Sequence, residues 1–126
     1  MAAQQAFLDI NIIIDIIIQR SRAEKIQKLL KDYDLFINPS IIDTVYYIIN
    51  KDSKIPNHVF RKAMGSYHIC NVSGNTVELA FDIAAENDLE DALQVACALD
   101  NNVENFVTAD RQIKKLYGKK INVIEV

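Results

Sequence analysis

Three aspartates set far apart in the chain, Asp9, Asp91 and Asp110, are the residues best placed to do chemistry. Asp9 interrupts the very apolar run Phe7 to Ile18, where a buried carboxylate must find a partner or a metal because burying a lone charge is costly. Asp110 follows Phe106-Val107-Thr108-Ala109, a short strand pattern, and Asp91 falls in the first turns of a helix beginning near Asp88. Carboxylates gathered from separate segments suit a hard cation such as Mg²⁺ or Mn²⁺, which takes oxygen ligands and keeps several waters. An ion held that way can activate a water and stabilise charge on a phosphate. Structural roles are open to the same residues. Asp88, Glu90 and Asp91 suit the positive end of a helix dipole, and Asp110 suits an N-cap. Asp15, six residues beyond Asp9, reads as structural, on the exposed side of a helix or as a local cap.

Whether the three acids meet depends on the elements that carry them. Ala6 to Asp9 reads as a buried strand, and Ile12 to Arg20 as a helix despite its β-branched content. Ala23, Ile26, Leu29 and Leu30 mark one stripe of an amphipathic helix over Ala23 to Lys31. Strand Asp34 to Asn38 follows, then Pro39-Ser40 as the entrance to a helix over Ile41 to Asn50, and a further helix from Asn57 to Met64. Tyr67 to Val72 is expected as the third strand, with Ser73 or Asn75 capping a helix over Thr76 to Glu86. Leu89 to Leu99 is strongly periodic, Asn105 to Thr108 is a fourth strand, and Asp110 opens a short helix to Leu116 that Gly118 ends. Ile121 to Glu125 is the fifth strand. Short, uniformly apolar strands alternating with helices predict an α/β fold. It would be a three-layer α/β/α sandwich around a central, mostly parallel sheet of about five short strands. Ligand sites in such sheets lie beyond the carboxyl ends of the strands, which is where Asp9 and Asp110 fall.

With 126 residues, half of them apolar, the chain suits a single domain over 1–126. The run Phe7 to Ile18 is too short and too interrupted by Asp9, Asn11 and Asp15 to cross a bilayer. The opening Met1-Ala2-Ala3-Gln4-Gln5 lacks the basic start of a secretory leader, which points to the cytoplasm. Cys70 and Cys97 have no zinc-ligand spacing and read as buried small hydrophobes. His58 and His68 likewise lack ligand spacing and read as structural. A net charge of −3 argues against a protein that coats nucleic acid, but not against a nuclease whose metal supplies the local positive charge.

Taken together, Phe7-Leu8-Asp9-Ile10-Asn11-Ile12-Ile13-Ile14-Asp15, Asp88-Leu89-Glu90-Asp91-Ala92-Leu93-Gln94 and Phe106-Val107-Thr108-Ala109-Asp110 resemble the PIN-domain family. They match its strand ending in Leu-Asp-Thr/Ser-Asn, its acidic helix start and its Val-Thr-x-Asp strand end, in that order and across essentially the whole chain. The nearest likeness is to VapC-type ribonuclease toxins of toxin–antitoxin pairs. That resemblance implies a Mg²⁺- or Mn²⁺-dependent endoribonuclease with Asp9, Asp91 and Asp110 as catalytic metal ligands. It also implies an RNA substrate, a cognate antitoxin and a homodimer.

Two positions depart from the family pattern. Ile10 replaces the hydroxyl residue usual after the first Asp, and Thr44 stands where the second acid of the family usually sits. Asp43 is adjacent, but one helical residue turns a side chain about 100° away. Asn11 is a candidate to orient Asp9 or a metal-bound water, or else to cap the following helix. These departures support an alternative, a catalytically weakened or inactive PIN-like module that binds RNA or protein. A flavodoxin-like phosphoryl-transfer domain is a third reading, which lacks a Gly-rich loop. Lys51, Lys54, Arg61 and Lys62 form one basic region, and Arg111, Lys114, Lys115, Lys119 and Lys120 a second beside Asp110 that could hold phosphates. A solvated helix face is the more frequent explanation of such runs. Tyr46 and Tyr47 could serve a dimer or antitoxin surface, with at least one of them in the core.

Overall fold

The computed structural model describes residues 3–52 and 54–126; Met1, Ala2 and Ser53, and with them part of the leader reading, lie outside it. Among the described residues, five strands and seven helices alternate in chain order. The strands are β1 (Gln4–Leu8), β2 (Tyr33–Ile37), β3 (His68–Ile69), β4 (Asn105–Thr108) and β5 (Asn122–Glu125). The helices are α1 (Ile10–Ile17), α2 (Ala23–Leu30), α3 (Pro39–Asn50), α4 (Asn57–Met64), α5 (Gly74–Ala84), α6 (Leu89–Asp100) and α7 (Arg111–Tyr117). The sheet runs β3-β2-β1-β4-β5, and every pairing is parallel.

From β1 the chain winds outward through β2 to β3, then returns past β1 to β4 and β5. Right-handed crossovers in opposite directions put α1–α4 and α5–α7 on opposite faces, and leave a crevice at the switch point between β1 and β4. A sheet covered on both sides needs strands apolar on both faces, and Ala6, Phe7, Leu8, Phe106 and Val107 are all fully buried. In register, Phe7 lies beside Phe106, their rings stacked 5.6 Å apart. Side chains alternate across a strand, so Asp9 and Thr108 follow these rings on the same face.

Helix boundaries show where local chemistry overrode periodicity. α1 begins at Ile10, directly after Asp9, rather than at Ile12. It stops at Ile17, short of the expected Arg20, because Gln19 takes a positive φ of 55° and turns the chain back. Ser73 is the cap of α5: Ser73 and Thr76 exchange side-chain-to-backbone hydrogen bonds in a capping box, which starts the helix two residues earlier than expected. The third strand is reduced to His68 and Ile69, an edge pairing with little to bury, far shorter than Tyr67 to Val72. Cys70 and Cys97 are buried as expected. Among the described residues no helix is long and apolar enough to cross a membrane.

Candidate active site

Asp9 is the N-cap of α1, yet its side chain makes no cap hydrogen bond. Its backbone N–H extends the sheet by donating to the Val107 carbonyl (3.0 Å), which sets Asp9 beside Thr108. The Thr108 hydroxyl donates to the Asp9 carboxylate at 2.7 Å and accepts the Asp110 N–H at 3.0 Å. One hydroxyl thus ties the ends of β1 and β4 together and fixes the spacing of two of the expected acids. Asp110 also caps α7, accepting the Gln112 N–H at 2.9 Å, so the structural role open to it is real and coexists with its place at the strand end.

The third acid arrives on α6. Asp88 is its N-cap and accepts the Asp91 N–H at 2.9 Å, which accounts for Asp88 structurally. Asp91 and Gln94 are three residues apart and so share a helix face. On that face Gln94, buried, accepts the Ile10 N–H at 3.1 Å through Oε1. That contact crosses from α6 to the first residue after Asp9 and draws the Asp91 turn toward the switch point.

The acids are close enough for charge on one to act on another. The Asp91 carboxyl is pushed up to about 6, by burial first and then by the negative charges of Asp88, Asp9, Asp110 and Glu90. Asp9 is raised as well, chiefly by burial, with a further push from Asp110. The Thr108 hydroxyl and the nearby Asn11 and Ile10 N–H groups oppose that shift. Among the described residues none of the three is in a salt bridge. Nor do three His, Cys, Asp or Glu side chains close into a ready-made metal cage there. The donor set nevertheless fits a hard divalent cation: oxygen ligands only, mutually repelling, one of them buried. Tyr117 adds a buried polar atom. It is 1 % exposed, its hydroxyl has no hydrogen-bond partner among the described residues, and its pKa is raised by burial and by Asp91 and Asp88.

The two remaining expected residues sit at the rim. Asn11 is exposed in the first turn of α1. Thr44, exposed on α3, lines a pocket of about 250 Å³ with Ile10, Ile41, Glu90, Leu93 and Gln94. Asp43 faces a different pocket with Pro39 and Tyr46, so it does not replace the acid absent at Thr44.

Two expectations need correction. Asp15 is not exposed: it is fully buried and bound by Arg20 (3.1 Å) and Arg22 (2.5 Å), because the turn after α1 brings both guanidinium groups back over it. Neither tyrosine of the α3 pair is in the core. Tyr46 is 40 % exposed, with its ring edge-on to Phe60, and Tyr47 is 70 % exposed. His68 stacks on Phe36, as a structural histidine would.

Thr108, Gln94, Glu90 and Tyr117 carry parts of the site that residue types alone did not assign. Thr108 lies inside the Val-Thr-x-Asp motif, and the Asp91-x-x-Gln94 spacing was a readable signal. Nothing in the sequence marks Tyr117.

The chain belongs to the PIN-domain family, whose model matches residues 6–119. Its fold is similar to a protein of a toxin–antitoxin complex from Klebsiella pneumoniae, at a TM-score of 0.76 and 22% identity, covering 96% of this chain and 99% of that one. It is similar too to a chain of VapBC2 from Rickettsia felis bound to a DNA fragment from their promoter, at a TM-score of 0.72 and 15% identity, covering 98% of this chain and 99% of that one. No curated protein matches the sequence significantly.

Proposed function

We propose that this PIN domain is a metal-dependent endoribonuclease, the VapC-type toxin of a toxin–antitoxin pair. The observation that carries the reading is the gathering of Asp9, Asp110 and the Asp91 turn at the β1/β4 switch point through the Thr108 and Gln94 hydrogen bonds, with negative charge from Asp110 acting on Asp9 and from both on Asp91, and no salt bridge to any of the three among the described residues. Asp9, Asp91 and Asp110 would hold Mg²⁺ or Mn²⁺, which when bound would supply an activated water and charge stabilisation at the scissile phosphate. The protein's own part is positioning. Thr108 orients the Asp9 carboxylate by donating to one oxygen, and Gln94 pins the backbone at Ile10. Asn11 and Thr44 flank the acids and orient water or substrate. Arg111, Lys114 and Lys115 are exposed on α7, directly after Asp110, where they would hold RNA phosphates.

The same reading makes the chain one domain, acting in the cytoplasm as a homodimer and held by an antitoxin. Tyr47 and the half-exposed Tyr46 offer an aromatic surface for such a partner. Thr44 and Ile10 favour the second reading, a PIN module that binds RNA or protein without cutting. The two separate on total RNA incubated with Mg²⁺ or Mn²⁺ and the wild-type, Asp9→Asn or Asp91→Asn protein. Cleavage that both substitutions and a chelator abolish is expected. Equal RNA integrity in every sample leaves the binding module.

A further inference from the structure

The pocket between α3 and α6 is a second polar feature beside the acids, and none of the three proposed metal ligands lines it. It opens next to Ile10 and Glu90, the immediate neighbours of Asp9 and Asp91. Its walls are aliphatic, from Ile10, Ile41 and Leu93, and its polar groups come from Asn38, Ser40, Thr44, Glu90 and Gln94; the Asn38 Oδ1 already accepts the Ile41 N–H. The orientation of the Gln94 amide is fixed: Oε1 must face the Ile10 N–H, a donor, so the NH₂ end is left to donate elsewhere. Glu90 is exposed and makes no hydrogen bond or salt bridge among the described residues, so its carboxylate is a free two-oxygen acceptor. At about 250 Å³ the pocket has room for one unpaired base between apolar walls.

We propose that this pocket is a nucleobase-specificity site that takes a guanine of the RNA strand beside the scissile phosphate. Guanine presents two adjacent donors, N1–H and N2–H₂, next to the acceptor O6. The Glu90 carboxylate takes both donors and the Gln94 NH₂ donates to O6. Uracil offers a single donor to the carboxylate, and the Watson–Crick edges of adenine and cytosine place a ring-nitrogen acceptor where guanine has N1–H. The proposal rests on the RNA-cutting reading, but its test does not require cutting.

The experiment uses the full chain in chelator and fluorescent pentanucleotide RNAs of uridine with a central guanosine, inosine, adenosine or uridine, read by anisotropy. Inosine differs from guanosine only by loss of the 2-amino group, so it tests the carboxylate contact without altering the protein. Guanosine should bind at least about tenfold more tightly than inosine, and Glu90→Gln should shrink that ratio to about twofold or less. Glu90 is exposed, so its substitution does not threaten the fold. Equal affinity for guanosine and inosine, or an undiminished ratio in Glu90→Gln, overturns the proposal. A Mn²⁺-supplied cleavage arm separates the two claims: cutting lost in Asp9→Asn but indifferent to guanine sinks the pocket and keeps the nuclease. Guanine-selective binding without any cutting keeps the pocket and sinks the nuclease.

Discussion

Asp9 caps α1 and Asp15 lies within it, six residues on, and both are buried, at 3% and 0% exposure. Their surroundings are opposite. Asp15 is bound by two arginines that the turn after α1 folds back over it. Asp9 has a neutral hydroxyl for a partner, and the charge that acts on it, Asp110, is negative. A buried carboxylate that the fold neutralises holds structure together. One left among like charges is an unmet demand for a cation, and that separates a structural acid from a functional one.

The sharpest way to break this contrast is to remove each charge with little change of shape. Asp9→Asn should lower RNA cleavage by roughly 10²-fold or more, the scale seen when a single preorganised electrostatic group is lost from an active site. Its thermal stability in chelator should stay level or rise. Asp15→Asn should do the reverse, destabilising by about 3 kcal/mol in denaturant unfolding because it breaks two charge-assisted bonds, while the folded fraction cuts normally. If the two profiles exchanged places, Asp9 would be the structural residue and the site would lie elsewhere.

Thr108→Val tests the link between the two strand ends. It removes the donor to Asp9 and the acceptor of the Asp110 N–H, and should cost about 1–3 kcal/mol because the buried Asp9 oxygen loses its partner. Added Mn²⁺ should restore part of that loss by binding the folded state alone. A variant as stable as wild type would show that the hydroxyl does not hold the site.

Asp91 gives a smaller effect with a definite sign. Its folded pKa, about 6, lies above the ordinary 3.8, so the folded chain holds that proton more tightly than the unfolded one. Stability from this group is therefore fullest below about pH 4 and falls as pH rises through 6. Asp91→Asn should be more stable than wild type at about pH 7.5, by about 1 kcal/mol once solvent screening is allowed for, and no more stable at about pH 4. Saturating Mn²⁺ should remove the advantage. A difference independent of pH would mean that repulsion among the acids is not its source.

Much of this was legible in the sequence, for identifiable reasons. The strand–helix alternation is written in apolar periodicity, and the strand-end placement of Asp9 and Asp110 follows from it. Asp15 was rightly read as structural but wrongly as exposed, because burial of a charge depends on where Arg20 and Arg22 return. That return hinges on Gln19 adopting a positive φ, which no propensity signals. The two-residue β3 was overestimated because the segment Tyr67 to Val72 shows β-propensity but not its register, which lets it meet β2 only at Phe36 and Ile37. Thr108 and Gln94 escaped because their work is to hold other groups, which depends on cross-strand register and helix phase rather than on residue type.

Tyr117 supplies the smallest test, a third kind of buried polar group between the extremes of Asp15 and Asp9. Its hydroxyl is neutral, nearly fully covered and without a partner among the described residues, and the charges acting on it are those of Asp91 and Asp88. A buried hydroxyl that makes no bond costs desolvation and returns nothing, so Tyr117→Phe should leave stability unchanged or raise it by up to about 1 kcal/mol. The thermal midpoint in chelator reads this directly. A clear loss of stability would mean that the hydroxyl does have a partner, with water bridging it to Asp91. The acids would then be held by a hydrogen-bond network on both sides, and Asp9 would be less exceptional than its contrast with Asp15 makes it.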